Sequence, residues 1–555
     1  MKGLRTSSFS RWLLLLLALN LAARLPLCWD PANVSPDGAE YLAIARSLRT
    51  AGQYAADLKW QFFTDEPVQH LAWADRPPLY PAFAAICATA LPFVHPATAG
   101  RLGNVLLAGL ALMLGVLYLR RVFNERVALV AAGYVFLLPH TLFWTTQPLT
   151  ESLSLTLSLA ALLAWAGASP SGNHSVARAL VVGLLAGLAY LTRPTGVLLL
   201  LVFLLDVARQ HRGPRATPGA DARNAGSPFV AASWLLAGFL LFAVPYHVLL
   251  WKLYGSPFHS ALGYTFSVAS VHDVTVNGFE REHPGTLQFL RQHATEVPGW
   301  VLRQALAHAQ GLLLPLLGLL PFALRMRATD WTGPRWAAGA LVVTTLLVHT
   351  AAWSAKGSSR YFLLLLLVLA AALLWAGERA RAGEVITRAG NTWRGRRWTM
   401  LSVALPLASC VALGVTLVQF YSTQSRPDRG IAALPSWRAA GRELRGGGLV
   451  ASNNPWIVNL LAETPAVMLP RTTDAHQLER FIERYRPEVL VLFIESPADA
   501  GMRDAWRAGR VPSDWELAGD TGSMLKLIPR AGPTARGDRS TGGSSIRLPV
   551  RPGDR

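Results

Sequence analysis

Long apolar segments recur along most of this chain, and they limit its possible folds more than any other feature. A helix needs about 20 predominantly apolar residues to cross the hydrocarbon core of a bilayer. Charged residues make up only 15% of the 555 residues, against about 25% in an average soluble domain. We therefore predict a mainly α-helical, polytopic membrane protein of about eleven transmembrane helices, at residues 9–28, 100–119, 127–146, 151–167, 178–192, 194–208, 229–251, 300–324, 335–353, 361–377 and 398–420.

The first of these segments is interpreted as an uncleaved span. Lys2 and Arg5 precede it, as basic residues precede the apolar part of a signal peptide. However, no small-residue cleavage site leads into a polar mature start, and further spans follow. The three cysteines, at positions 28, 87 and 410, show neither a metal-binding spacing nor a disulfide framework.

Basic clusters between the apolar segments predict the orientation of the chain. The formal net charge is +19, but the arginines lie mostly in short loops, which is typical of membrane topology and not of a nucleic-acid-binding domain. Loops rich in Lys and Arg stay in the cytoplasm. All the clusters share that side if the Pro-rich segment 78–95 is a juxtamembrane helix on the outer surface. The clusters are at residues 119–127, 209–216, 325–335 and 378–397.

This orientation places nearly all the long polar segments outside the cytoplasm. The outer side receives the loop 29–99, the loop 252–299 and everything after residue 420. The loop 252–299 contains His, Asp and Glu residues without a known metal-binding spacing, and we interpret it as an ordinary polar loop. The alternative is that it supplies acceptor contacts or metal ligands. The expected location is the cytoplasmic (inner) membrane, with the chemistry on its outer face.

The C-terminal part of the chain changes in composition, and residues 421–530 predict a small extracytoplasmic α/β domain. They contain no G-x-G-x-x-G or P-loop pattern, so a nucleotide site is not expected. Residues 531–555, rich in Gly, Ser, Arg and Pro, are predicted to form a disordered tail. Strands and helices are predicted to alternate at 449–453, 455–463, 466–470, 474–485 and 488–495.

The first outer loop begins with the stretch "SPDGAEYLAIARSLRTAGQYA", which predicts an amphipathic helix. Ser35 is the expected N-cap, Pro36 suits the first helical position, and Asp37 lies in the first turn, where the helix dipole favours an acid. Glu40 is predicted to point away from the apolar face. That face is formed by Tyr41, Ile44, Ala45 and Leu48. On these residues alone, Asp37 is either a helix-starting acid or a catalytic one.

A second unusual stretch is "LTRPT", which interrupts the apolar residues 178–208. Basic residues flank both ends of the stretch, so both ends are expected on the cytoplasmic side. Two short spans then meet at Arg193 and Pro194 on the outer side. An arginine at this depth is costly unless another group pairs with it.

Several motifs therefore share the predicted outer side. They are the acid in "PDGAEYLAIARSLRTAGQY", the Pro-rich "RPPLYP" at residues 76–81, Glu151 in "QPLTES", and the arginines in "GLAYLTRPTG" and "SSRYFLLLLL". Their order, spacing and common side resemble the GT-C class of polytopic membrane glycosyltransferases over residues 9–420. The chain looks most like bacterial members of the branch that includes protein O-mannosyltransferases and aminoarabinose transferases.

This resemblance implies an inverting glycosyltransferase that uses a sugar on a polyprenyl phosphate at the outer face of the membrane. By similarity, Asp37 takes the position of the catalytic acid of the first loop, where a base would accept the proton of the acceptor hydroxyl. Glu151 takes that of the second acidic motif, which would position the acceptor or help to bind a cation. The GT-C-like transmembrane domain is then residues 1–420.

Transfer from a lipid phosphate also needs positive charge to stabilise the departing phosphate. Guanidinium and ammonium groups suit this role, and the candidates are Arg193, Arg360, Arg76 and Lys356. For Arg360 the alternative is an anchor at the membrane interface. For Arg76 and Lys356 the alternative is a solvated surface position.

The sequence leaves the cofactor, the acceptor and the sugar open. Several GT-C relatives carry adjacent acids in the first loop, whereas "PDGAE" has a single acid at the motif, so a divalent cation such as Mg or Mn and no metal at all both stay possible. The acceptor is a lipid, a glycan or a protein. The alternative functions are a transporter or flippase of a lipid-linked glycan and a non-catalytic anchor for the α/β domain. A transporter would carry polar residues at mid-membrane depth and internal repeats, and the sequence shows neither.

Overall fold

The protein is mostly helical, with one six-stranded sheet formed mainly by residues near the C-terminal end. The predicted span 398–420 and the predicted tail 531–555 lie outside the described residues, as do parts of the predicted spans 300–324 and 335–353. The computed structural model describes residues 8–29, 34–62, 67–167, 175–212, 228–259, 266–269, 286–313, 316, 334–351, 359–387, 439, 441–494, 499–522 and 524–530.

Helices follow one another through most of the chain, and the first outer loop adds three two-residue strands. The strands are β1 (Ala55–Ala56), β2 (Leu58–Lys59) and β3 (His70–Leu71). The helices are α1 (Ser8–Arg24), α2 (Pro36–Ala51), α3 (Leu79–Ala90), α4 (Pro96–Val122), α5 (Glu125–Leu137), α6 (Pro139–Thr146), α7 (Glu151–Ala166), α8 (Val176–Thr192), α9 (Val197–Arg212), α10 (Pro228–Tyr254), α11 (Thr286–Gln292), α12 (Val297–Leu313), α13 (Pro334–Ala351) and α14 (Leu363–Thr387).

Among the described residues, three helical segments are long and apolar enough to cross a membrane: Ser8–Cys28, Pro96–Val122 and Phe229–Tyr254. A fourth candidate is the pair α5 and α6, which is bent by 69°. Shorter apolar helices are α3, α7, α8 and the segment Leu363–Ala376. The chain is thus a multi-pass membrane protein, while the count of eleven spans stays a prediction.

The predicted span 127–146 is broken in the structure. α5 ends at Leu137, and Leu138 adopts an extended conformation with ψ at 133°. The next residue, Pro139, has no backbone N–H and disfavours a helical conformation in the residue before it. The break changes the direction of the chain between α5 and α6 by 69°. Trp144 of α6 lies beside Arg360.

The stretch 178–208 also breaks, at the place that the sequence predicts. α8 ends at Thr192, Arg193 is extended, and a single 3₁₀ turn (Pro194–Gly196) leads into α9. The proline again favours an extended residue before it. Arg193 therefore lies in a turn between two helices and not within one.

Glycines allow α8 and α10 to pack with their backbones in contact. A Cβ atom built at Gly183 would lie 2.1 Å from the carbonyl oxygen of Leu235. One built at Gly238 would lie 2.5 Å from the carbonyl oxygen of Leu180. Small residues at such crossings are typical of helix pairs in membranes. This contact holds α8 in place, and with it the turn that carries Arg193.

The sheet contains strands from both ends of the chain. Its order is β2-β5-β4-β6-β8-β7, in which the first four strands are parallel and the last two antiparallel to their neighbours. Right-handed crossovers through helices are the usual way to connect parallel strands. The C-terminal elements are β4 (Val450–Ser452), α15 (Pro455–Ala462), β5 (Ala466–Met468), α16 (Ala475–Tyr485), β6 (Val489–Phe493), α17 (Ala500–Arg507), β7 (Trp515–Asp520) and β8 (Met524–Pro529).

Two apolar cores meet next to the predicted site residues. The first core contains residues of the apolar helices, among them Leu159, Phe203 and Leu367. The second combines residues of α2 such as Leu42 with C-terminal residues such as Ile457. Residues of the loop 29–99 and of the C-terminal sheet therefore share one core, although the sequence predicts them as separate regions. The predicted domain boundaries are not tested by this arrangement and stay a prediction.

Candidate active site

Asp37 lies at the start of α2, held there by local interactions that the sequence predicts. The Ser35 hydroxyl accepts a hydrogen bond from the Gly38 backbone N–H at 3.2 Å, as an N-cap does. Pro36 occupies the first helical position. The Asp37 side chain is about one-fifth exposed, with a relative accessibility of 21%. Its carboxylate faces two arginines that come from distant parts of the chain.

Arg76 and Arg360 each donate to one oxygen of the Asp37 carboxylate. The Arg76 Nη2 atom lies 2.7 Å from Asp37 Oδ1, and the Arg360 Nη2 atom lies 2.8 Å from Asp37 Oδ2. The Arg76 guanidinium also lies over the Tyr41 ring, at 5.1 Å from its centre. The Arg360 guanidinium lies over the Trp144 ring, at 5.2 Å. The aromatic faces add a favourable cation–π contact to each arginine.

Glu40 is a third acid of the site, and here the sequence prediction is wrong. Glu40 does not point away from the packed face of α2 but is buried, with 7% relative accessibility. Its Oε2 atom accepts hydrogen bonds from Arg76 Nη2 at 2.7 Å and from Trp60 Nε1 at 2.9 Å. The reason is helical geometry, because residues three apart share a face and Glu40 follows Asp37 by three.

Glu151 is buried in the first turn of α7 and pairs with two of the candidate arginines, Arg193 and Arg360. Its Oε1 atom accepts a hydrogen bond from Arg193 Nη2 at 2.9 Å. Arg360 Nε lies 3.6 Å from the same oxygen. Arg360 therefore bridges the two predicted acids, Asp37 and Glu151. Arg193, whose place in an apolar stretch is costly without a paired group, forms an ion pair with Glu151.

The charges in this cluster balance, because three carboxylates face three guanidinium groups. Burial by itself would raise the pKa of Asp37, but the charges and hydrogen bonds of Arg76 and Arg360 outweigh it and hold that pKa well below its usual range. Burial would lower the pKa of Arg76, and the neighbouring Glu40 and Asp37 instead raise it well above the usual value. At neutral pH Asp37 is therefore a carboxylate held between two guanidinium groups.

A cleft opens beside the cluster, between α7, α9, α13 and α14. Its empty volume, including the open mouth, is about 600 Å³. The cleft is lined by Glu151, Arg193 and Arg360. Asp37 is connected to the cleft through its ion pair with Arg360. The rest of the wall combines leucines with polar side chains, and it is formed by Ser154, Leu155, Ser158, Thr195, Gly196, Leu199, Leu341, Thr345, His349, Leu363, Leu364 and Leu365. Such a cleft suits an amphipathic ligand with an anionic head and an apolar tail.

The described residues do not fit a divalent-cation site. Each carboxylate of the cluster already lies in an ion pair with an arginine, and three guanidinium groups would repel a cation. No group of three or more His, Cys, Asp or Glu side chains in the described part of the chain is arranged to bind a metal ion. We therefore derive no chemical step through a metal.

The structure thus brings together five of the six predicted site residues, namely Asp37, Glu151, Arg76, Arg193 and Arg360. Lys356 lies outside the described residues. Sequence reasoning missed Glu40, Trp60 and Trp144. The spacing of Glu40 from Asp37 was a usable signal, whereas Trp60 and Trp144 have no local pattern that marks them.

Comparisons with known proteins give information about the fold. Residues 75–216 match the family described as dolichyl-phosphate-mannose-protein mannosyltransferase. No curated protein matches the sequence of the chain. Among solved structures, ArnT from Cupriavidus metallidurans bound to undecaprenyl phosphate has a TM-score of 0.57 at 14% identity, and the match covers 93% of this chain and 98% of that one.

Two structures of the oligosaccharyltransferase of Archaeoglobus fulgidus are also similar. The apo form has a TM-score of 0.57 at 12% identity, over 89% of this chain and 70% of that one. AglB in complex with an inhibitory peptide and a dolichol-phosphate has a TM-score of 0.52 at 14% identity, over 88% of this chain and 70% of that one. At these identities the likeness concerns the fold, and it confirms the resemblance noted in the sequence. The protein is therefore a multi-pass membrane protein with the fold of the GT-C glycosyltransferases.

Proposed function

We propose that the protein transfers a sugar from a polyprenyl-phosphate donor to an acceptor on the outer face of the cytoplasmic membrane, with inversion at the transferred carbon. The observation that carries this proposal is an ion-pair cluster of Asp37, Glu151 and three arginines, of which Glu151, Arg193 and Arg360 also line a cleft with leucines in its wall. Two of the similar structures contain a polyprenyl phosphate, namely undecaprenyl phosphate in ArnT and dolichol-phosphate in AglB.

The donor occupies the cleft beside Arg193 and Arg360 in this proposal. Its phosphate takes hydrogen bonds from the two guanidinium groups, whose planar geometry suits phosphate oxygens. The acceptor hydroxyl attacks the sugar carbon from the side of Asp37, and the bond between that carbon and the phosphate oxygen breaks. The polyprenyl phosphate leaves with the electron pair, and the arginines stabilise its added negative charge.

Asp37 accepts the proton of the acceptor hydroxyl. In the structure its two arginine partners lower its pKa, which makes it a weak base. A donor phosphate that draws Arg360 towards the cleft removes one of these partners and raises the basicity of Asp37. The base is therefore strengthened when the donor is bound.

The test uses purified protein in lipid nanodiscs with a panel of polyprenyl-phosphate sugars and candidate acceptors. Release of polyprenyl phosphate together with glycosylated acceptor is expected for the wild type. Asp37→Asn is expected to lose about 10²- to 10⁴-fold in rate, the usual contribution of a general base, while it still binds undecaprenyl phosphate. The matched control is Asp504→Asn, which removes an exposed acid of α17 from its pair with Arg503 and leaves the rate unchanged.

Three outcomes decide between the functions. If Asp37→Asn keeps the wild-type rate, a residue other than Asp37 is the base. An unchanged rate with EDTA is expected, because the cluster does not fit a cation. No release with any donor and acceptor, combined with passage of the lipid-linked sugar across the bilayer, contradicts the transferase and supports the transporter alternative.

A further inference from the structure

The first outer loop is joined to the C-terminal sheet by backbone hydrogen bonds. β2 is the edge strand of that sheet and pairs in parallel with β5, with Leu58 opposite Ala466. The Asp57 carbonyl oxygen accepts a hydrogen bond from the Ala466 backbone N–H at 3.0 Å. The loop that carries Asp37 therefore has one end fixed to a region that lies about 400 residues later in the chain.

A polar network strengthens this junction. Arg46 of α2 donates to both oxygens of Asp57 at 2.8 Å and to the backbone oxygen of Asn459 at 3.0 Å. The Asn459 side chain, on α15, donates to Asp57 Oδ1 at 2.9 Å. These three side chains link α2, the strand β2 and the C-terminal helix α15. The position of α2 is thus set from the C-terminal side as well as by its own packing.

Trp60 connects the junction to the candidate active site. It follows β2 directly, and its ring lies edge-on to that of Trp456 on α15, with 6.4 Å between centres. Its Nε1–H donates to Glu40 Oε2, the same oxygen that accepts from Arg76 Nη2. That nitrogen in turn donates to Asp37 Oδ1 at 2.7 Å. A continuous path of contacts therefore leads from the C-terminal sheet to Asp37.

We propose that Glu40 is a positioning residue for Asp37, and that Trp60 is the link through which the C-terminal sheet holds Glu40. This inference rests on the proposed function. Arg76 Nη2 is shared between two carboxylates, so the strength with which Glu40 attracts it determines how Asp37 is oriented and how strongly it is paired. The indole N–H of Trp60 fixes the oxygen of Glu40 that makes this contact.

The experiment compares Glu40→Gln, Trp60→Phe and the double variant. Each single change is expected to lower kcat about tenfold, the effect of losing one hydrogen bond to a charged group, with the donor KM within about twofold of wild type because both residues lie outside the cleft. Rates are normalised to sites that bind undecaprenyl phosphate. The double variant is expected to lose little more than Glu40→Gln alone, because Trp60 acts through Glu40.

The matched control is Trp456→Phe, which changes the aromatic neighbour of Trp60 but leaves the hydrogen bond to Glu40. It is expected to keep kcat near the wild-type value. Unchanged kcat in Glu40→Gln, additive losses in the double variant, or an equal loss in Trp456→Phe would each overturn the inference. An active wild type with any of these results contradicts only this inference and leaves the proposed function intact.

A second measurement does not depend on turnover. Hydrogen exchange of the backbone amides at residues 36–41 and 70–76 is expected to be faster in Trp60→Phe than in wild type and in Trp456→Phe. Equal exchange in all three proteins would mean that Trp60 does not hold this part of the site. A wild type without transferase activity would therefore still allow the link to be tested.

Discussion

At the scale of single residues, the site is a set of ion pairs in which two of the three arginines each contact two acids. Arg360 contacts Asp37 and Glu151, and Arg76 contacts Asp37 and Glu40. A buried carboxylate is costly without such partners. In the proposed function Arg193 and Arg360 bind the donor phosphate, so the acids and the donor compete for these two arginines.

This competition predicts that Glu151→Gln binds undecaprenyl phosphate more tightly than wild type, by severalfold, because a carboxylate no longer neutralises Arg193. Isothermal titration or native mass spectrometry in detergent measures the affinity. Glu479→Gln, which removes an acid of α16 from an exposed pair with His476, is the control and leaves the affinity unchanged. Weaker binding in Glu151→Gln would show that Glu151 orients the arginines and does not compete with the phosphate.

The lowered pKa of Asp37 predicts how its contribution to stability depends on pH. A carboxyl group with a depressed pKa in the folded protein stabilises the fold above its pKa in the unfolded chain, about 3.9. The difference in melting temperature between wild type and Asp37→Asn is therefore expected to be constant from pH 8 to about pH 5. It narrows below about pH 4, as the pH falls towards the lowered pKa of Asp37.

Thermal unfolding in detergent at several pH values checks this expectation. Asp504→Asn serves as the control and shows little difference from wild type at any pH, because its ion pair is exposed. A difference for Asp37→Asn that already disappears between pH 7 and pH 5 would contradict the ion pairs described for Asp37.

At the scale of secondary-structure elements, prolines and glycines place the site. Pro139 breaks the predicted span 127–146 and turns Trp144 towards Arg360, while Pro194 ends α8 after Thr192. Gly183 and Gly238 allow α8 and α10 to touch through their backbones. The positions of the charged side chains thus depend on prolines and glycines, whose side chains carry no functional groups.

Gly183→Ala is therefore expected to destabilise the protein, by about 1–3 kcal/mol, which is typical of overpacking. A Cβ atom there would lie 2.1 Å from the Leu235 carbonyl oxygen, so the two helices must separate. Gly299→Ala in α12 is the control, since a Cβ at that position meets nothing within 4 Å. Thermal unfolding of the two variants in detergent compares them directly, and equal melting temperatures would contradict the close crossing.

At the scale of the whole molecule, the sheet joins the two ends of the protein. Its edge strand comes from the first outer loop and its other strands from residues after 449. A sheet assembled in this way requires both parts to lie on the same side of the membrane. The orientation inferred from the basic loops places both outside the cytoplasm.

A fusion of alkaline phosphatase after residue 530 tests this orientation. The enzyme needs disulfide bonds, which form outside the bacterial cytoplasm, so an active fusion is expected. A fusion after residue 212, at the end of α9 and within the basic cluster 209–216, is the control and is expected to be inactive. An inactive fusion at residue 530 would place the sheet in the cytoplasm and contradict the proposed outer-face chemistry.

The features that depend on local chemistry can be predicted from the sequence alone. The N-cap of Ser35, the first-turn position of Asp37, the break at Arg193 and the alternation of strands and helices after residue 449 follow from residues close to one another in the chain. Five candidate site residues were found because their motifs share one side of the predicted topology. The same reasoning was wrong for Glu40, which it turned away from the apolar face of α2 and which is buried in the structure.

Which residues come into contact across the chain depends on the tertiary structure. The strand β2 has two residues and no periodicity, and its partner β5 lies about 400 positions away, so no local pattern marks the pairing. Arg360 lies 323 residues from Asp37, and either could have paired with a closer group. Such contacts depend on how the apolar helices pack, and close packing is a property of the assembled surfaces. Local sequence patterns therefore indicate which chemical groups form the site, and the tertiary fold sets the distances between them.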